Sequence, residues 1–546
     1  MTLDIFQEIA LILALAAVVS MVAVRLKQPL IIAYIVVGVL VGPAVFGFIT
    51  ATAQVEVLAG LGISVLLFVV GLKLDLRLIR SVGPVALATG IGQIAVTSVA
   101  GFLIATALGF STVEAAYIAV ALTFSSTIVI VKLLSDKREI DSLHGRIAIG
   151  FLIVQDIFVV IVLLLLPAFA VQAEIGPVAQ VLRLLIVGVG LVVLLAVFMR
   201  FVANPLLKVL ARSQEMLVLF AVTWAVALGA LGDFLGFSKE VGAFLGGVSI
   251  ASTPYRDAIV ARLTGLRDFL LLFFFIDLGS KLNLVDFGEQ LASAAVLSVF
   301  VLVGNPLIVV GIMGYMGYRR RTGLFAGLTV AQISEFSLIL AALGVSLGHI
   351  GTDILSLVTL VGIATISTST YMILGADRLY DVVSKPLRVF ERNVPFREIE
   401  DSLQEPARVD VVVLGLGRYG GSIVDGLMAR GLTVLGVDFD PQALKAAKAK
   451  GVPIQYGDAE DPEFTGSLPL SSAALVVSTL PSFNVNKAVL HGLESVRFPG
   501  KFMATAHDES EIEELEAVGV DHVLMPFDDA ADQAVFTIAE KTGRVS

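Results

Sequence analysis

The chain has 546 residues, 57% of them hydrophobic and 15% charged, with a formal net charge of −10. A mean hydropathy of +0.94 is too apolar for a water-soluble protein of this length, so most of the chain must be solvated by lipid. There is no cysteine, which excludes disulfides, thiolate catalysis, thiolate zinc sites and iron–sulfur clusters.

Apolar runs fill residues 1–375, and charge density rises from about Lys385 onward. This divides the chain into a membrane domain over 1–375, a charged amphipathic linker over 376–408 and a soluble domain over 409–546. The soluble part is acidic, which argues against nucleic acid as a partner. The first run lacks a basic leader and a small-residue cleavage site, so it reads as a membrane helix and not as a removable signal. Breaks at Gly, Pro and polar residues predict thirteen helices, near 5–24, 29–48, 54–72, 82–108, 112–134, 142–166, 176–200, 214–232, 238–252, 262–280, 288–313, 321–348 and 351–374.

Alternate connections carry Arg25 and Lys27; Lys73, Arg77 and Arg80; Lys132, Lys137, Arg138 and Arg146; Arg200, Lys208 and Arg212; Arg256, Arg262 and Arg267; and Arg319, Arg320 and Arg321. The other connections carry only Lys239, Lys281 and Arg183. Basic connections stay in the cytoplasm. The N-terminus is therefore expected outside and the C-terminal domain in the cytosol.

A weak internal repeat joins the two halves. Residues 67–76 (LFVVGLKLDL) resemble 275–284 (FIDLGSKLNL), and Ala121-Leu122-Thr123 followed by Ser125-Ser126 resembles Gly327-Leu328-Thr329 followed by Gln332 and Ser334. Members of each pair fall on spans three and ten, or five and twelve, and so run in opposite directions. That is the signature of an inverted repeat, common in secondary transporters.

Three carboxylates lie at membrane depth: Asp156 in span six, Asp277 in span ten and Glu335 in span twelve. An acid there costs about 2.5–3.5 kcal/mol on insertion scales and normally faces a cavity or a partner. Asp156 has apolar neighbours except Gln155. Desolvation disfavours its charged form, so its carboxyl is suited to hold a proton or a small cation in turn. Thr123, Ser125, Ser126 and Thr127 interrupt span five, where unwinding would expose oxygen ligands; Thr329, Gln332, Ser334 and Glu335 do the same in span twelve. The competing reading has these hydroxyls bonded back to their own helices. Asp277 is either a second titrating group or the partner of Lys281 one turn away.

The segments 25–43 (RLKQPLIIAYIVVGVLVGP), 121–133 (ALTFSSTIVIVKL), 144–157 (HGRIAIGFLIVQDI), 235–246 (LGFSKEVGAFLG) and 328–338 (LTVAQISEFSL) resemble the monovalent cation:proton antiporter-2 family. The Gln155-Asp156 pair is similar to the Kef-type potassium/proton branch. The resemblance implies crossed, broken spans five and twelve framing the site. It implies Asp156 as the alternating ligand of K+ or Na+ and H+, assisted by Gln155 and the Ser125–Thr127 region, and a homodimer in a bacterial inner membrane. Asp277 departs from the family pattern, which usually has an apolar or small residue there, so stoichiometry and cation choice do not carry over.

In the soluble part, Val409–Leu414 has the pattern of a buried strand and runs into Gly415-Leu416-Gly417-Arg418-Tyr419-Gly420, which opens a helix. A second strand, Thr433–Val437, ends at Asp438. Strand, glycine turn, helix and an acid about 20 residues on make a Rossmann nucleotide signature. Gly415, Gly417 and Arg418 would meet phosphate, Gly420 would let the helix pack closely, Asp438 would accept from ribose hydroxyls, and Asp458 would sit at the adenine edge. Later strands are expected at Ala474–Leu480, Phe502–Ala506 and His522–Met525. The domain resembles the N-terminal lobe of RCK domains, which implies NAD(H), AMP or ATP as regulatory ligand. Glutathione control does not transfer, because no residue pattern licenses it.

The expected fold is thus a polytopic α-helical membrane domain with an inverted repeat, followed by an α/β Rossmann-type domain. Its expected function is cation/proton exchange under nucleotide control. A nucleotide-gated potassium channel would need a carbonyl filter, and no such sequence occurs. A membrane-anchored oxidoreductase would need a substrate domain, so no enzyme activity is expected. A sodium-coupled symporter would not need the regulatory domain.

Overall fold

The computed structural model describes the chain apart from residues 1–3, 48–51, 74–82, 167–186, 393–408, 543–546 and scattered single or short positions, Asp458 among them. Most of the expected span at 176–200 lies outside the described residues. Two compact bodies result: 1–133 with 147–309 and 326–379, and 134–146 with 310–325 and 380–546.

The first body is helical. Among the described residues, 8 helices are long and apolar enough to cross a membrane. It begins with α1 (Ile5–Arg25), α2 (Leu30–Val41), α3 (Thr52–Lys73) and α4 (Gly83–Ala107). The fifth span is broken, into α5 (Thr112–Ala121) and α6 (Thr127–Asp136), with 122–126 outside either helix. Ser111 starts α5 through a capping box with Glu114, which satisfies two backbone donors at the helix end. Helix α7 (Leu143–Leu165) carries Gln155 and Asp156. Then come α8 (Gln214–Phe234), α9 (Lys239–Val248), α10 (Arg256–Ser280) and α11 (Leu284–Val299). A π turn over Phe300–Gly304 leads into α12 (Asn305–Tyr315). Pro306 explains the turn: it lacks an N–H and its ring displaces the carbonyl four residues back, so the helix widens there.

The twelfth span repeats the break of the fifth. It comprises α13 (Arg320–Leu328) and α14 (Glu335–Ser346), separated by 329–334. Ser334 caps α14 by accepting the Phe336 N–H at 3.2 Å. Helix α15 (Thr352–Leu374) closes the body, and α16 (Ala376–Leu387) gives the start of the expected linker regular structure.

Helices away from the breaks pack backbone to backbone through glycine. A Cβ on Gly38 of α2 would fall 2.9 Å from the Gly279 Cα of α10, and one on Gly279 would fall 3.0 Å from the Gly38 Cα. In the same way Gly71 of α3 packs on α9 at Val248, while Gly247 of α9 packs on α3 at Leu72. Without a strong hydrophobic force between helices in lipid, such close approach supplies the adhesion. Gly71 and Gly279 occupy equivalent places in the sequence repeat and perform the same task, one on span nine, the other on span two.

The sheet of the second body is six-stranded and parallel, in the order β3-β2-β1-β4-β5-β6. Its strands are β1 (Val411–Leu414), β2 (Val434–Asp438), β3 (Ile454–Tyr456), β4 (Leu475–Ser478), β5 (Lys501–Thr505) and β6 (His522–Leu524). This is the doubly wound Rossmann order, in which ligands bind at the carboxyl ends of the strands beside the reversal between β1 and β4. Val412, Leu414, Leu435, Val476 and Phe502 fill one face of the sheet, and Val411, Val413, Val424 and Ile454 the other.

Candidate functional site

Asp156 is partly accessible, although it lies in the middle of α7. Its Oδ2 accepts the hydroxyl of Thr127, the first residue of α6, at 3.0 Å. The carboxylate therefore meets the broken span where its second helix starts. Next to it, Gln155 is bonded at both ends of its amide: its Oε1 accepts the Ser125 N–H at 3.0 Å and its Nε2 donates to Gln93 Oε1 at 2.8 Å. Gln155 thus holds the unwound backbone in place while Asp156 bonds the first residue of α6.

The other predicted residues divide by contact. The Thr123 hydroxyl lies 2.8 Å from the Ala119 carbonyl, bonding back to its own helix, and 3.1 Å from Ser98. Ser126 caps the next turn through the Val129 N–H at 3.4 Å. Ser125 Oγ is buried with no protein partner. In span twelve, Gln332 Oε1 lies 2.9 Å from the Ser369 hydroxyl, and its Nε2 is buried without a partner. Glu335 is buried in the first turn of α14, 3.3 Å from the Ser334 hydroxyl, where the helix dipole favours an acid. Asp277 takes the pairing alternative: Lys281 Nζ is 2.8 Å from its Oδ2 and 3.5 Å from Glu56.

Three polar residues missed by the sequence reading complete the crossing. Gln93 Nε2 reaches the Thr123 carbonyl at 3.3 Å and Thr97 Oγ1 at 3.1 Å. Thr97 donates to Asn305 Oδ1 at 3.0 Å. Asn305 Nδ2 lies 3.2 Å from the Leu122 carbonyl and 3.4 Å from that of Val330. The two spans also touch directly beside their breaks, through the Ser337 hydroxyl of α14 on the Ala121 carbonyl that ends α5, at 2.6 Å. Asn305-Pro306 inside an apolar run was the available signal for one of the three.

In the second body, the glycine turn fits a phosphate. Gly415 has φ +86°, which L side chains rarely adopt; a Cβ on Gly420 would run into the Gly415 carbonyl, whereas the space before Gly417 is open. Arg418 is exposed at the start of α17 (Arg418–Ala429). Asp438 ends β2, with its carboxylate 2.6 Å from the Leu416 N–H and 2.7 Å from the Asp440 N–H. Asp440 in turn meets Arg146, in the first turn of α7, at 3.0 Å. Lys137, before that turn, and His144, within it, flank Glu139 at 2.6 Å and 3.3 Å. Burial pushes the Glu139 carboxyl up, but His144 and Lys137 outweigh it and hold it below its ordinary range.

A membrane-depth carboxylate bonded at the break of one of two interrupted spans, in a chain that also carries a parallel-sheet domain, suits an ion exchanger. Residues 10–374 match the family described as "Sodium/hydrogen exchanger, transmembrane". The chain belongs to this family. A second match, over residues 411–526, makes the exchanger's other part a TrkA-N domain, a nucleotide-binding Rossmann module. The exchanger is 28% identical over 530 residues to the candidate cation/proton antiporter YbaL of Escherichia coli (strain K12), covering 94% of this chain and 93% of that one. It is 31% identical to the iron transporter MagA of Paramagnetospirillum magneticum, over 70% of this chain and 88% of that one. It is 26% identical to the glutathione-regulated potassium-efflux system protein KefC of Enterobacter sp. (strain 638), over 98% and 83%. The protein is a membrane cation/proton exchanger joined to a TrkA-N domain.

Proposed function

We propose that the exchanger carries K+ against H+, with Asp156 binding each in turn. The observation that carries this is the Asp156 carboxylate, partly accessible and bonded to Thr127 at the break of span five. Ser125 Oγ is buried without a partner and adds an oxygen to the set at the crossing, while the unpartnered atom of Gln332 is its Nε2. The Ser369 hydroxyl has one hydrogen and two acceptors, Gln332 and the Ile366 carbonyl at 3.2 Å. When it serves Ile366, the amide faces it with Nε2 and frees Oε1 for a cation. Potassium is favoured over sodium by the likeness to KefC and to the K(+) efflux antiporter 5 of Arabidopsis thaliana, over 98% and 65% of this chain.

The protein works as a homodimer in a bacterial inner membrane, N-terminus outside and TrkA-N domain in the cytosol. The final helix, Pro526–Lys541, exposes Phe527, Val535, Phe536 and Ile538, apolar side chains that a second copy would cover. It performs no catalysis of its own. Purified protein in vesicles loaded with a pH dye tests the reading. Proton flux should follow a K+ gradient, more weakly a Na+ gradient, and no flux with any alkali cation would sink it.

The ligand of the TrkA-N domain is NAD(H), AMP or ATP, held at Gly415–Gly420 and Asp438, and it controls transport. Asp438→Asn is expected to weaken nucleotide binding about tenfold by calorimetry, because a neutral amide accepts poorly from ribose hydroxyls. Arg146→Ala should leave nucleotide affinity unchanged and remove the nucleotide effect on flux. Arg146 lies in the first turn of the helix that carries Asp156 and touches the residue two beyond Asp438.

A further inference from the structure

We propose that Asn305 is the positioning residue that fixes both unwound segments at the cation site, and so sets the exchanger's affinity for its cation. This rests on the reading of Asp156 and segment 122–126 as the site. Asn305 is wholly buried. Breaking spans five and twelve leaves carbonyls that continuous helices would have satisfied. The Asn305 amide has two hydrogens, and their acceptors are one carbonyl from each break, Leu122 at 3.2 Å and Val330 at 3.4 Å.

Its orientation is determined by its neighbours. Gln93 Nε2 donates to Thr97 Oγ1 at 3.1 Å, and the Thr97 hydroxyl hydrogen goes to Asn305 Oδ1 at 3.0 Å. Turned over, the amide would set its oxygen against two carbonyl oxygens, so one arrangement satisfies every group. The chain continues: Gln93 also holds the Thr123 carbonyl and accepts from Gln155, which accepts the Ser125 N–H. Five residues after Leu122, Thr127 bonds Asp156. A shift of Leu122 therefore moves the oxygens around the carboxylate. The repeat gives the arrangement a twofold logic. Span four supplies Gln93 and Thr97, its counterpart span eleven supplies Asn305, and each sends an amide into a break.

The test is K+-driven proton flux by purified full-length protein in dye-loaded vesicles, read as KM and maximal rate separately. Asn305→Asp keeps size and the acceptor for Thr97 but removes the donor; its KM for K+ should rise about tenfold, and Asn305→Ala likewise. Thr97→Val keeps Asn305 and its packing but frees the amide to turn; its KM should rise about threefold, and adding it to Asn305→Asp should give no further rise. A residue important only for stability would lower the maximal rate, through the amount of folded protein, and leave KM alone. KM within about twofold of wild type in Thr97→Val and in every folded Asn305 variant overturns the proposal. Asp156→Asn separates the two readings: if it is inactive while KM is unchanged in the others, this inference alone fails. If it still exchanges, the site reading falls and takes this inference with it.

Discussion

Exchange by the Asp156→Asn protein is expected to fall at least about a hundredfold, to the level of empty vesicles. The substitution keeps shape and packing, so the folded yield should stay at the wild-type level. What it removes is the ability to hold a proton, and the charge that offsets the desolvation of a cation at membrane depth. Thr127 Oγ1, now 3.0 Å from Asp156 Oδ2, can donate to the amide oxygen equally well, so the break itself should persist. The measurement is K+-driven acidification or alkalinisation in dye-loaded vesicles, with yield read by size exclusion. Flux at the wild-type rate would remove Asp156 from the site.

The second large effect concerns folding. Gly279→Ala is expected to reduce thermal stability in detergent sharply, by more than the roughly 1–3 kcal/mol usual for overpacking. The new methyl meets backbone, the Ile35 carbonyl carbon at 3.1 Å and the Gly38 Cα at 3.0 Å, and backbone cannot rotate away. Gly247→Ala should behave alike, because its methyl would fall 2.9 Å from the Leu72 N. Gly60 and Gly265 provide the contrast. Both lie inside helices with nothing within 4 Å of a Cβ, so their alanine variants should be neutral or gain up to about 1 kcal/mol of helix propensity. Melting curves of the four proteins decide it; equal stability for Gly279→Ala and Gly265→Ala would refute the packing argument.

These outcomes differ in how far they were legible in the sequence. Asp156 stood out because an acid among apolar residues has few reasons to be there. The breaks stood out because hydroxyls cluster at the same offset in two halves of the chain. The TrkA-N fold was readable because a glycine turn between a strand and a helix constrains backbone geometry locally. Gln93 and Asn305 were not legible in the same way. Each is a lone neutral amide in an apolar run, and its meaning depends on carbonyls far along the chain, 183 residues away for Asn305 and Leu122. Thr123 shows the converse limit: its hydroxyl bonds back to Ala119, which no pattern of residue types distinguishes from pointing at an ion. Asp277 left two readings open because sequence cannot tell whether a lysine one turn on is folded towards it, and the 2.8 Å pair with Lys281 is a matter of side-chain geometry.

The row of Gln155, Gln93, Thr97 and Asn305 also bears on where protons can travel. Amides neither gain nor lose a proton near neutral pH, and five of the hydrogens of these three are committed to fixed acceptors. The row is an insulator, not a wire. A proton on Asp156 therefore finds no onward route along these amides. On the proposed reading, proton and cation take turns on the one carboxylate, and that turn-taking couples the two fluxes.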